Sequence, residues 1–316
     1  MNDLQIVFDA LKGKSLKIKR LFDYYDGNQP LQYTAQRLAK VFETTCARFT
    51  QNWCAVVIDS ALDRLELTGW DSADKLQNQA LDDLWNESQL GLEAMEIHEA
   101  ALVTGEAFLI AEMDADGGLK AYANNPRYCV MIYDDGDPHK KRVAGKWFAD
   151  GDRTRMVLYY PDRIEAYAAN QKMDEISSAN AFRYDEENSG NTEFGVMPVF
   201  HFRNSKRAPK SELANVIPLQ DAVNKLFSDM MVTAEFSAFP ARYVISSANI
   251  EKLKNSPNEV WHLPANDGDV ESTQVGTLPA ADLNNYSAQI AELANSIAVI
   301  TRTPKHYFYG SATQPS

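Results

Sequence analysis

The chain has 316 residues, 45% hydrophobic and 24% charged, which is enough for about two folded units and too ordinary for a fibre or a disordered chain. Its 44 acidic and 31 basic residues leave a net charge of −13, which argues against an overall basic grip on nucleic acid. Cys46, Cys54 and Cys129 fit neither a disulfide framework nor a zinc spacing, so a reducing compartment is expected. The chain opens without a signal-peptide pattern, and no window approaches 18 consecutive apolar residues. A soluble, non-secreted protein with no membrane partner is therefore expected.

Residues 4 to 104 carry apolar side chains at helical spacing, as in Leu16, Leu21, Phe22 and Tyr25, and predict a mostly helical region. Ser15, and Asp71 or Ser72, are expected helix starts, and Asn86-Glu87-Ser88 a break between two helices. A basic run lies between Lys12 and Arg20, and a solvated helix face explains it better than a phosphate contact.

From residue 105 to 204 the pattern changes to short β-like runs at 107–113, 128–133, 143–149, 155–160 and 163–168. Turn chemistry such as Asp116-Gly117-Gly118 and Asp134-Asp135-Gly136-Asp137-Pro138 separates them, which predicts an antiparallel meander. Residues 174–193 have few apolar positions and are expected to form an exposed hairpin or a mobile loop. Residues 195–202 then read as a closing strand.

The last third differs again. Val216, Leu219, Val223, Leu226 and Met230 step by three and four, predicting a helix over 218–238 with Pro218 in its first turn and Pro240 beyond its end. A second helix is expected over 283–301, with Leu283, Tyr286, Ile290, Leu293, Ile297 and Ile300 on its seam. Asp282 is its expected N-cap and Pro304 its stop. Between them, residues 241–281 hold strand-like runs at 242–245 and 260–263, so the three segments make a stalk with a tip. One partner helix cannot cover both faces of either seam, and a repeated arrangement with one stalk per subunit is the economical solution.

Motifs for chemistry are weak. Gly13-Lys14-Ser15 lacks the first glycine of a phosphate loop, because Phe8 stands there. His98-Glu99-Ala100-Ala101-Leu102 lacks the second histidine of a zinc helix. The runs Asp114-Ala115-Asp116-Gly117 and 134–137 read as hairpin turns and not as calcium loops, since the closing bidentate Glu is missing. His98, His139, His201, His262 and His306 are scattered, and no serine or cysteine sits in a nucleophile elbow. No catalytic, cofactor or metal residue is assigned, and a protein that is not an enzyme is expected.

Several stretches, taken in order, resemble the portal proteins of tailed double-stranded DNA bacteriophages, in the siphovirus and prophage branch. They are Tyr24-Tyr25-Asp26-Gly27, then Val57-Ile58-Asp59 and Asp63-Arg64-Leu65 leading to Gly69-Trp70, then Leu84-Trp85-Asn86, and His98-Glu99-Ala100-Ala101-Leu102 with Gly105-Glu106-Ala107-Phe108. Further on come Gly195-Val196-Met197-Pro198-Val199 with Phe202-Arg203-Asn204, Ser211-Glu212-Leu213, and Ile217-Pro218-Leu219-Gln220-Asp221-Ala222-Val223-Asn224-Lys225. Phe239-Pro240-Ala241-Arg242 and Ile300-Thr301-Arg302-Thr303-Pro304 complete the series.

The resemblance implies an α+β subunit with a mixed α/β wing over residues 1–204, helical to 104 and β-rich from 105. It implies a linker and first stem helix over 205–240, a small β-containing clip over 241–281, a second stem helix over 282–303 and the start of a channel loop over 304–316. The family continues through another helix and a crown, so on this resemblance the sequence stops before the crown. It also implies a dodecameric ring at one capsid vertex, a location in the virion, and assembly in the bacterial host cytoplasm. The implied partners are double-stranded DNA passing through the channel, the terminase large subunit, a head-completion adaptor, and the major capsid and scaffold proteins.

A channel that passes DNA without holding it benefits from carboxylates that repel phosphate. Asp221, Lys225 and Asp229 recur every four residues on one helix face and are the channel-lining candidates, with an intrahelical or intersubunit salt-bridge row as the equal alternative. Glu251, Lys252, Lys254 and Glu259 are the candidates for docking partners at the clip. Rival readings are another ring-forming virion adaptor, or a metal-dependent hydrolase using the acidic turns, for which a thermal shift on adding calcium, magnesium or zinc would be the sign.

Overall fold

In the computed structural model, residues 2–30, 51–67, 72–113, 117–192, 195–205, 208–237, 242–245, 274–279 and 281–308 are described. The chain divides into two units. The first holds residues 1–30, 52–217 and 300–316, and the second holds 31–51 with 218–299.

The first unit opens on α1 (Asp3–Tyr25), which Asn2 caps by accepting the Gln5 N–H at 2.9 Å. Its buried face is Val7, Phe8, Leu11, Ile18, Leu21 and Tyr24, a stripe at steps of one, three and seven. The helix therefore starts twelve residues before Ser15, the expected start, and Leu16 is 77% exposed. The basic run is largely the expected solvated face, since Lys12, Lys17, Lys19 and Arg20 are exposed, but several of its side chains also reach protein partners. Lys12 donates to the Ile176 carbonyl at 2.8 Å, Lys14 pairs with Glu106 at 2.8 Å and Lys19 with Asp23 at 2.6 Å, while Arg20 lies over the Tyr24 ring. Long cationic side chains here tie the helix to its own core.

Helices α2 (Trp53–Leu62), α3 (Lys75–Glu87) and α4 (Leu90–Thr104) follow. Asp74, and not Ser72, caps α3 by accepting the Leu76 N–H at 2.9 Å; Asp71 lies outside the described residues. The expected break between α3 and α4 falls at Ser88 and Gln89, the latter in the left-handed region at φ 51°.

Two antiparallel sheets complete this unit. β3 (Cys129–Tyr133), β4 (Lys141–Asp150), β5 (Arg153–Tyr159), β6 (Arg163–Ala169) and β7 (Arg183–Asn191) form a five-stranded meander in chain order. β1 (Glu106–Met113) lies between β2 (Leu119–Asn124) and β8 (Val199–Arg203) in a second sheet. Sequence reasoning treats these strands as one series and misses β2. What closes at β8 is the smaller sheet, through pairs such as Phe108 with His201.

The stretch 174–193 is not a loose excursion. A 3₁₀ turn at Ala179–Ala181 and strand β7 occupy it, and Ile176, Ala179 and Phe182 are buried in the core. The strand itself is polar because it is the edge of the sheet, where solvent reaches one side. Its anchors all precede it, which is why the segment looks polar as a whole.

The core has two layers. Phe8 and Leu11 of α1 pack on Val143, Trp147, Met156 and Leu158 of one meander face. Phe108, Ile110, Met131, Ala144 and Val199 join the other face to the smaller sheet. Val143 and Ala144 therefore serve opposite layers, so β4 is apolar on consecutive residues and does not alternate.

In the second unit, α5 (Ile217–Ser237) and α6 (Asn284–Thr301) are the long helices, and β9 (Arg242–Ile245) pairs antiparallel with β10 (Gln274–Thr277). Pro218 is the second residue of α5, where its missing N–H costs little. Asp282 accepts the Asn284 N–H at 2.9 Å at the start of α6. The expected strand at 260–263 lies outside the described residues; the partner that β9 finds is further along the chain.

Candidate functional site

The apolar seam read on α5 is not its most buried face. Gln220, Asn224 and Ser228, one turn apart, are almost wholly enclosed, as are Val216 and Val223, whereas Leu219, Leu226 and Met230 are half-buried. The Gln220 amide donates to the Gln51 carbonyl at 2.7 Å, and the Asn224 Oδ1 accepts the Gln51 N–H at 3.0 Å. The Ser228 hydroxyl donates to the Asn224 carbonyl at 2.8 Å. A polar ladder thus holds a backbone peptide that would otherwise lack partners on burial. Apolar periodicity could not reveal it; the signal was the i, i+4, i+8 spacing of three short polar side chains.

Lys225 and Asp229 form an ion pair with each other across one turn, both side chains about a third exposed. Asp221, on the same helix face, is only 9% exposed. The three candidates therefore share a helix face but not an environment. Glu251, Lys252, Lys254 and Glu259 lie outside the described residues.

Alongside this row, α5 and α6 leave an open groove of about 720 Å³, lined by Ala222, Lys225 and Leu226 on one helix and Gln289, Glu292 and Leu293 on the other. The helices touch through the Thr233 and Tyr286 hydroxyls at 3.3 Å. Leu226 and Leu293 are only partly covered, and Val299 stands 72% exposed near the end of α6. Leucine seams left half-covered within one chain are the feature that a neighbouring chain would cover.

The first unit holds a second polar cluster that sequence reasoning did not find, although all of its members stand in quoted motifs or runs. Glu106, at the start of β1, takes Lys14 at 2.8 Å and His201 Nε2 at 3.1 Å, and His201 Nδ1 meets the Tyr133 hydroxyl at 3.0 Å. The imidazole is stacked on Phe108 with ring centres 4.6 Å apart. With hydrogen on Nε2, it donates to Glu106 and accepts from Tyr133, and every partner is satisfied. Burial would push the Glu106 carboxyl up, but the His201 and Lys14 contacts outweigh it and hold the group below the usual carboxylate range.

This gives a signed prediction. A carboxyl with a depressed native value adds stability above its unfolded value and loses it as pH falls through the native one. Wild type should therefore lose stability relative to Glu106→Gln as pH drops below about 4.3, the ordinary Glu value. At neutral pH the variant should be less stable by about 2 kcal/mol. Thermal midpoints of both proteins across the acid range check this, and parallel curves would show that Glu106 does not carry the linkage.

Cys54 and Cys129 are both buried, and burial pushes the Cys129 thiol up to about 12. Among the described residues, no group of three or more His, Cys, Asp or Glu side chains could hold a metal ion, and no helix is long and apolar enough to cross a membrane.

A mixed α+β unit followed by two long helices enclosing a short β ladder is the class of protein that these elements define. A family model described as phage portal protein, SPP1 Gp6-like, matches residues 9–314, and the chain belongs to that family. The fold is similar to a chain in the neck of an empty gene transfer agent particle computed with C6 symmetry: TM-score 0.50, 12% identity, covering 90% of this chain and 74% of that one. A chain from the virion of a native gene transfer agent particle matches at TM-score 0.48 and 12% identity, covering 95% of this chain and 78% of that one. No curated protein matches.

Proposed function

We propose that the protein is a portal subunit, forming a dodecameric ring at one capsid vertex and providing a channel for DNA packaging and ejection. In this reading residues 1–204 are the wing, α5 and α6 the stem, and 241–281 the clip. Membership of the portal family supports the role, as does the likeness of fold to the particle-neck chain. The terminase large subunit and then a head-completion adaptor would dock at the clip, and major capsid and scaffold proteins would surround the wing. The protein would work in the virion after assembly in the host cytoplasm.

The single observation that carries the reading is the groove between α5 and α6, where Leu226 and Leu293 stay partly exposed beside an ion-paired polar row. Neighbouring stems would cover the leucines; Lys225 also lines this groove, so the Lys225 and Asp229 row would stand at the border between that interface and the channel. Twelve copies of that row would present alternating acidic and basic rings, with no net cationic surface to hold phosphate. Asp221, being nearly enclosed, is the weakest of the three channel candidates.

Negative-stain microscopy of the purified protein should give averaged rings with twelve or thirteen subunits. A stable monomer at high concentration would overturn the reading for this chain.

A further inference from the structure

A cleft of about 820 Å³ opens in the first unit, away from the long helices. Its floor is one face of β4, β5 and β6, lined by Phe148, Val157, Ile164 and Ala166, and Glu112 and Tyr122 of the smaller sheet form a wall. This volume falls in the range of small-molecule sites, and the apolar floor is ringed by charged and polar side chains.

The polar groups divide into those already satisfied and those that are not. Glu112 accepts the Tyr122 and Tyr159 hydroxyls at 2.7 and 2.6 Å, so its charge is drawn toward two phenols. Arg155 is paired with Asp150 at 2.7 Å and lies 3.9 Å from Asp185. Lys146 is different. Its ammonium stands 4.8 Å from the Tyr122 ring centre and 5.7 Å from that of Phe148, with one long hydrogen bond of 3.5 Å to the Tyr122 hydroxyl. Among the described residues no carboxylate lies within ion-pair reach of it.

An ammonium has three protons to donate, so at least two find no acceptor among the described residues. Burial holds Lys146 below the usual lysine range, although the Glu112 charge partly offsets this. Thr192 also belongs to the lining, but its hydroxyl oxygen is closed to solvent and does not open into the cleft.

We propose that this cleft binds a small amphipathic acid, with its anionic head on Lys146 and its apolar body over Phe148, Val157, Ile164 and Ala166.

Calorimetric titration with decanoate and with 1-decanol, both below micellar concentration, tests this on the wild-type protein. Decanoate should bind saturably at one site and roughly tenfold more tightly than the alcohol, because only the acid makes a charge-assisted hydrogen bond. Lys146→Met should remove that preference, Lys146→Arg should keep it, and Lys225→Met, on the other unit, should leave binding unchanged. Equal binding of acid and alcohol, no saturable binding of either, or full preference retained in Lys146→Met would each overturn the proposal. The wild-type comparison decides it even where a variant fails to fold, and none of these readouts depends on ring formation.

Discussion

Replacing Leu226 and Leu293 together by aspartate should abolish ring assembly while leaving the folded subunit intact. Both side chains line the groove between α5 and α6 and are only partly covered in the single chain, so in the monomer the new carboxylates reach water. In a ring the neighbour would bury them. Fully burying an exposed leucine side chain is worth about 1.5–3 kcal/mol, and these two are already half-buried, so together they amount to roughly one to two decades in association, before the cost of burying charge is added. The contrast is Val223, one turn away and fully enclosed within the chain, where aspartate should unfold the unit itself. Sedimentation should show the double variant as a monomer, and circular dichroism should show that it still unfolds in one cooperative transition. Rings that persist in it would remove this groove from the assembly interface.

Gly105→Ala should destabilise the first unit by about 3 kcal/mol or more, the sum of backbone strain and overpacking. Gly105 ends α4 at φ 95° and donates its N–H to the Ala101 carbonyl at 2.9 Å, a left-handed cap that favours glycine. A β-carbon there would also lie 2.3 Å from the Lys210 backbone nitrogen and 2.7 Å from the Pro209 carbonyl carbon. Backbone cannot swing aside as a flexible side chain can. The same residue begins the turn that brings Glu106 to Lys14 and His201, so the variant should also disturb that cluster. Chemical denaturation with an unchanged m-value measures the loss. Gly117→Ala, at φ 81° but in open space, isolates the conformational part and should cost less. Equal losses would mean that crowding by residues 209–210 contributes nothing.

What could be read from the sequence depended on how local each cause is. The long helices of the last third follow from three-and-four spacing and from Pro218 and Asp282, all of which act within a turn or two of chain. The meander follows from turn chemistry, and the Asp134 and Asp137 side chains do accept the Gly136 and His139 N–H groups at 2.9 Å in such a turn. α1 runs through Ser15, the expected start, because Asn2 caps it and the Ser15 hydroxyl instead accepts the Arg127 Nε–H at 3.1 Å, from far along the chain.

The rest depends on partners far apart in the chain. Lys14 meets Glu106 across 92 positions, and Gln220 meets Gln51 across 169. Nothing in a local window distinguishes a lysine that ties a helix to a buried carboxylate from one on a solvated face. Nor does a window show that Ile176 and Phe182 anchor a polar edge strand, or that Lys146 and Thr192 line one cleft. The sequence by itself determined the kinds of element and, through an ordered set of short motifs, the portal family. Tertiary structure alone decided which polar groups are satisfied and which are left facing a cleft, because hydrogen bonding and desolvation act through space.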